Sequence, residues 1–143
     1  MGKRREGREA AVQFLFQRDL HRADFQGEPL ERLLERFWEL RPAAAKTRDF
    51  GSALVKGVIE NQDAIDERIR KFAANYELNR IAAVDRNILR VAVYEMVFSD
   101  DVPPVVCINE AIEIAKRFGS EDSGRFVNGI LDRIKAEVAR PAR

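Results

Sequence analysis

Ser123-Gly124-Arg125-Phe126-Val127-Asn128-Gly129-Ile130-Leu131-Asp132-Arg133-Ile134-Lys135-Ala136-Glu137-Val138 carries its apolar side chains at 126, 127, 130, 131, 134 and 138. Those steps of one, three and four fit one face of a helix and no strand. Working back toward the N-terminus, Gly119 predicts a left-handed helix stop and Ser120–Ser123 the opening of the last helix. Before that turn, Val106, Ala111, Ile112, Ala115 and Phe118 form a second helical stripe. Ser99-Asp100-Asp101-Val102-Pro103-Pro104 reads as a turn, and its prolines argue against a central strand nearby. Asp85 predicts an N-cap, with Ile88, Leu89, Ala92 and Met96 buried behind it.

The N-terminal half reads the same way. Val12, Leu15, Phe16 and Leu20 share one face of a first helix. Pro29 suits the first turn of a second, with Leu30, Leu33, Leu34, Phe37 and Trp38 inward, and Arg41-Pro42 ends it. A third carries Phe50, Ala53, Leu54, Gly57 and Val58; Gly57 has a helix cost that a closely crossing neighbour would justify. Asn61 predicts the cap of a fourth, with Ile65, Ile69 and Phe72 inward, and a short helix follows around Leu78 and Ile81. The expectation is an all-α fold of seven or eight short helices, a break near residues 73–77, and a loose tail from Arg140 to Arg143.

Composition limits the function. The chain has 143 residues, 45% hydrophobic and 34% charged, with a net charge of +1. One domain accommodates this length, and it buries enough surface to need no staple. The single cysteine, Cys107, excludes an internal disulfide framework and points to a reducing compartment. No apolar run approaches the ~18 residues of a membrane helix, and no secretory or acylation signal opens the chain, so a cytoplasmic protein is expected. The near-neutral total conceals a cationic N-terminus: Lys3, Arg4, Arg5 and Arg8 stand against Glu6 alone. Cations sit at the unfavourable end of a helix dipole, so a phosphate-bearing partner explains them better than helix stability does.

Catalysis finds little support in these residues. His21 is the lone histidine and lies among charged side chains, as a solvated surface histidine would. Cys107 lies between Val106 and Ile108, the setting of an inert buried thiol. There is no glycine-rich phosphate loop, and Glu110 and Glu113 lack a third ligand at metal-site spacing. No cofactor or metal is expected. Single-stranded RNA is the better match: it needs cations for phosphates and flat side chains on which bases stack. Phe118 and Phe126 flank the polar turn Ser120–Arg125, although core packing is an equally ordinary use of both rings.

Three long segments resemble the NusB family of bacterial transcription antitermination factors. Ala83-Val84-Asp85-Arg86-Asn87-Ile88-Leu89-Arg90-Val91-Ala92-Val93-Tyr94-Glu95 is similar to its central motif. Val106-Cys107-Ile108-Asn109-Glu110-Ala111 through Gly119 is similar to its INEA motif, and Ser123 to Asp132 to its closing FVNG motif. The start, Arg4 to Gln13, resembles the family's arginine-rich first helix. The resemblance covers the whole chain in order. It implies an all-helical single domain, 1–143, of two packed small bundles, about 1–74 and about 75–140, and no catalysis.

The resemblance further implies binding to the boxA element of ribosomal RNA leader transcripts as a heterodimer with NusE. NusE is a small-subunit ribosomal protein that doubles as an elongation factor. With other Nus factors the complex would modify RNA polymerase to read through termination signals. Carried over by position, the RNA surface comprises Lys3, Arg4, Arg5, Arg8, Phe118, Asp122 and Phe126, with Gln13 and Phe16 on the same first helix. Some members carry tyrosine at the position of Phe16; phenylalanine keeps the stacking face and loses the hydroxyl. Asp85 and Arg86 are the candidates for the NusE surface. Two other readings remain open at this point: a stand-alone relative of the RNA-binding domain of ribosomal RNA cytosine methyltransferases, and a helical adaptor without RNA affinity.

Overall fold

The computed structural model describes residues 2–73 and 77–138. Across them the chain forms α1 (Lys3–Leu20), a short α2 (Arg22–Phe25), α3 (Leu30–Leu40), α4 (Ala45–Glu60) and α5 (Gln62–Phe72). A 3-10 turn (Leu78–Arg80) leads into α6 (Ala83–Val93), which widens into a π-helical turn (Tyr94–Phe98). Then come α7 (Pro104–Phe118) and α8 (Ser123–Lys135). No strand occurs among the described residues. The expected break near 73–77 falls largely on residues 74–76, and the expected loose tail on 139–143; both lie outside the described residues.

α6 is the hub. It packs against α1 on one side and α7 and α8 on the other, while α5 touches both α6 and α8. Its Ile88, Leu89, Val91, Ala92 and Val93 are all buried, so this helix is apolar around most of its circumference. α7 and α8 close that side with Ile108, Ile114, Val127, Leu131 and Ile134, and one continuous core runs through the whole molecule.

α1 lies between α4 and α6, which explains a departure from the expected stripe. Residues 7–12, 14 and 15 are all buried, and Phe14 contributes the large inward ring. Leu20, expected inward, is 53% exposed, while Asp19 beside it turns toward Arg86 and Arg90 of α6. Phe14 meets Phe25 and Phe37 edge-on, both at 5.5 Å between centroids. The α1–α4 crossing is close enough to require glycine. A Cβ at Gly7 would stand 2.8 Å from the Phe50 ring, and one at Gly51 3.0 Å from the Gly7 carbonyl. Gly57 meets the expectation of a close neighbour: a Cβ there would collide with the Tyr94 ring.

Other local expectations change. Ala53 is exposed and Val55 buried in its place. Asn61 stands at the N-cap of α5 as expected, but its side chain makes no bond to that helix; its Nδ2 donates to the Gly57 carbonyl at 2.8 Å and closes α4 instead. The first residue of α6 is Ala83, so Asp85 lies within its first turn and not at the cap. Val106 is 40% exposed, and Cys107 and Ile108 point inward in its stead. Gly119 ends α7 with φ −92°, an extended and not a left-handed stop; Ser123 occupies the space a side chain at 119 would need.

One buried polar network ties α1, α5 and α6. Arg90 donates to Asp66 at 2.8 and 3.1 Å and to Asp19 at 2.7 Å. Arg86 donates to Asp19 at 3.0 Å and to the carbonyls of Leu78 and Ile81. Burial pushes the Asp19 carboxyl up, but Arg90, Asn87 and Arg86 outweigh it and hold the group below the usual carboxylate range.

Candidate nucleic-acid interface

The four cationic residues of the N-terminus separate into two kinds. Lys3 and Arg4 are exposed, and neither has a carboxylate partner among the described residues. The Arg4 guanidinium lies 5.4 Å from the Phe50 ring centre, so its head is positioned while its donors stay open to solvent. Arg5 is half-buried and forms a fork with Glu110, Nη2 to Oε2 at 2.7 Å and Nε to Oε1 at 3.1 Å. Arg8 is 4% exposed. It donates to both oxygens of Glu95 at 2.6 and 2.9 Å, and more distantly to Glu110 at 3.4 Å.

Arg8 is therefore an internal member of the fold. Burial pulls its guanidinium down, but the hydrogen bond and charge of Glu95 outweigh that and leave it raised. The π-helical turn has a visible role here. It carries Glu95 into the interior, where a guanidinium from the other end of the chain meets it.

Farther along α1, Glu9, Gln13 and Phe16 recur at spacings of four and three and face one way. Glu9 accepts two hydrogen bonds from Arg117 Nη1, at 2.9 and 3.0 Å, which pins the end of α7 to α1. The Arg117 guanidinium also lies 5.0 Å from the Phe118 ring centre. A groove of about 480 Å³ opens beside this contact, and Gln13, Phe16, Phe37, Leu40, Arg41 and Phe118 line it. Three sequence-predicted residues thus meet in one place: Gln13, Phe16 and Phe118. Arg41 donates to Gln13 Oε1 at 2.7 Å and forms the polar edge.

The other candidates lie apart from the groove. Asp122 is exposed and precedes α8, with no side-chain hydrogen bond to the helix end. Ser123 instead holds the turn, accepting from the Ser120 amide at 2.9 Å. Phe126 is half-buried and packs against the core. Asp85 is 8% exposed and its Oδ1 has no hydrogen-bond partner, while Arg86 is spent on Asp19 and two carbonyls. Sequence reasoning missed Arg41, Glu110 and Arg117. Arg41 reads in sequence only as a helix terminator, and the partners of the other two are more than 100 residues away.

Residues 5–136 match the model of the NusB family. The chain belongs to the NusB family. It is 50% identical over 137 residues to the transcription antitermination protein NusB of Desulfotalea psychrophila, covering 94% of this chain and 96% of that one. Identity to the same-named protein of Sorangium cellulosum is 43% over 143 residues, covering 100% and 99%. Among solved structures, T. maritima NusB superposes with a TM-score of 0.84 at 43% identity, over 98% of this chain and 94% of that chain. A structure of antitermination factors NusB and NusE with double-stranded RNA superposes at 0.81 and 26% identity, over 96% and 98%. The NusB fold is thus shared along nearly the full length. No described helix is long and apolar enough to cross a membrane.

Proposed function

We propose that this NusB-family chain is a transcription antitermination factor that binds boxA-type single-stranded RNA of ribosomal RNA leader transcripts together with NusE. With other Nus factors it would then alter elongation by RNA polymerase in the cytoplasm. The observation that carries the RNA reading is the build of α1. Its first turn presents Lys3 and Arg4 to solvent, and about 16 Å farther along the same helix Phe16 and Gln13 meet Phe118 in an open groove. Phosphates would be drawn to the first and an unstacked base to the second, with Gln13 and Arg41 supplying polar groups at its edge. Asp122, before α8, and Phe126, within it, stand outside that groove and are kept as further RNA candidates from the family resemblance.

We propose the NusE surface at the first turn of α6. The assignment rests on the match of Asp85 and Arg86 to the family's central motif; the Asp85 Oδ1 itself is enclosed and has no hydrogen-bond partner among the described residues. Arg86 then serves by holding that turn against α1. The role proposed is one of binding and not catalysis: His21 is exposed at the end of α1, and Cys107 is buried.

The test is the anisotropy of a labelled boxA-type RNA and of a scrambled control, with and without NusE, across a salt series. Cognate RNA is expected to bind more tightly than the control, and more tightly still with NusE. Lys3→Ala with Arg4→Ala should lower the salt slope by about 1.4, from about 0.7 per phosphate contact on a single strand. Equal binding of both RNAs, or a slope unmoved by the double change, contradicts the reading. NusE binding without any RNA binding would instead favour the adaptor.

A further inference from the structure

We propose that Glu110 is a specificity-determining residue: it occupies Arg5 in place of phosphate and yields it only to an RNA already seated on the rest of the face. The inference rests on the RNA reading above.

Three observations carry it. First, the fork geometry of Arg5 on Glu110, at 2.7 and 3.1 Å, is the geometry with which a guanidinium takes a phosphate, so the two ligands exclude each other. Second, the pair is able to open. The Arg5 side chain is 36% exposed and borders an open hollow of about 430 Å³ shared with Arg4, Arg8, Asp101 and Val106. A phosphate entering there meets Arg4 and Arg5, and Asp101 on the far rim disfavours a poorly placed one. Third, Glu110 is not abandoned when Arg5 leaves. Arg8 Nη1 stands 3.4 Å from its Oε1, and Arg8 is itself fixed by its fork with Glu95. Release of Arg5 therefore exchanges one paired state for another, and the cost stays small enough for RNA to meet.

The hydrogen bond from Arg5 holds the Glu110 carboxyl below the usual carboxylate range, against the opposing effect of partial burial. Glu110 is accordingly charged wherever RNA binding is measured, and competition for Arg5, not protonation, sets the device.

Discrimination follows from the order of events. A misplaced RNA leaves Arg5 on Glu110 and gains nothing from it. A correctly seated RNA takes Arg5 and meets only the release cost. Glu110→Gln removes the competitor, so scrambled RNA gains a contact it never had, while cognate RNA gains only the release cost. With the full-length protein, this variant should tighten scrambled RNA about three- to tenfold at low salt and steepen its salt slope by about 0.7, with the cognate slope unchanged. Glu113→Gln removes an equal charge one helical step away, from a side chain that pairs with Lys116 and not with Arg5, and should do neither. Arg5→Ala, in the parent background, should lower the cognate slope by about 0.7 and leave the scrambled slope alone.

A folded Glu110→Gln protein with parental slopes and parental discrimination overturns the proposal. So does an equal response to Glu113→Gln, which would mean a general field effect. If Glu110→Gln does not fold, Arg5→Ala decides alone, and equal loss on both RNAs rejects the idea. Absence of RNA binding by the parent is a different result and rejects the functional reading itself.

Discussion

Replacing Arg8 by alanine separates the two kinds of cation at the N-terminus. The Arg8 and Glu95 side chains are only 5% and 3% exposed, and two hydrogen bonds of 2.6 and 2.9 Å join them. Truncation strips the guanidinium from a carboxylate that water cannot reach. Breaking a buried pair from one side costs about 3–5 kcal/mol. The guanidinium also lies 5.2 Å from the Phe50 ring centre, a contact worth about 0.5–2 kcal/mol that is lost as well. An overall loss of about 5 kcal/mol is a large share of a typical stability of 5–15 kcal/mol and would lower Tm by about 10 °C or more. Urea unfolding followed by circular dichroism reads the loss directly. Arg4→Ala is the control, since Arg4 is exposed and should stay within about 0.5 kcal/mol of the parent. Replacing the pair together, Arg8→Met with Glu95→Gln, should recover much of the stability, because no lone charge stays buried. An Arg8→Ala protein as stable as the parent, with reduced RNA affinity, would refute this reasoning and return Arg8 to the RNA surface.

Other outcomes are expected. Phe118→Ala should cost about 1–3 kcal/mol of RNA affinity if a base stacks on that ring, measured where the variant is fully folded because the ring also packs against the core; parental RNA affinity in a folded variant would show the ring to be idle. Gly57→Ala should destabilise by about 1–3 kcal/mol, because the new methyl displaces Tyr94, and a neutral midpoint would mean that the ring moves freely. Asp19 and Glu110 are both held below the usual carboxylate range, so each favours the folded state while ionised. That contribution is complete above a pH of about 4 and is lost as the pH falls through the depressed values. Thermal melts should be level from pH 7 to 5 and fall below about pH 4; melting temperatures that rise on acidification would contradict the assignment.

Where one side of a helix meets the core, its sequence displayed that side. α8 is the clearest case: Val127, Ile130, Leu131 and Ile134 are all buried, in the order their spacing predicts. α1 was harder to read because α4 and α6 cover it from two directions, so charged residues such as Arg8 and Glu9 are enclosed along with the apolar ones. Periodicity reports where apolar residues lie; it does not say that an arginine has a carboxylate waiting 87 positions later. That is why four cations looked alike in sequence while the structure divides them.

The groove depends on pairings of the same long-range kind. Phe118 reaches it because Arg117, beside it, is hydrogen-bonded to Glu9, and Gln13 is oriented there by Arg41. Glu9 lies one turn from Arg5 and Gln13 one turn from Glu9, so a single helix sets the cationic end and the groove at a fixed separation. RNA spanning both would therefore meet a rigid ruler in α1. Its fixed register gives a physical reason for a correctly seated strand to reach Arg5 where a misplaced one does not.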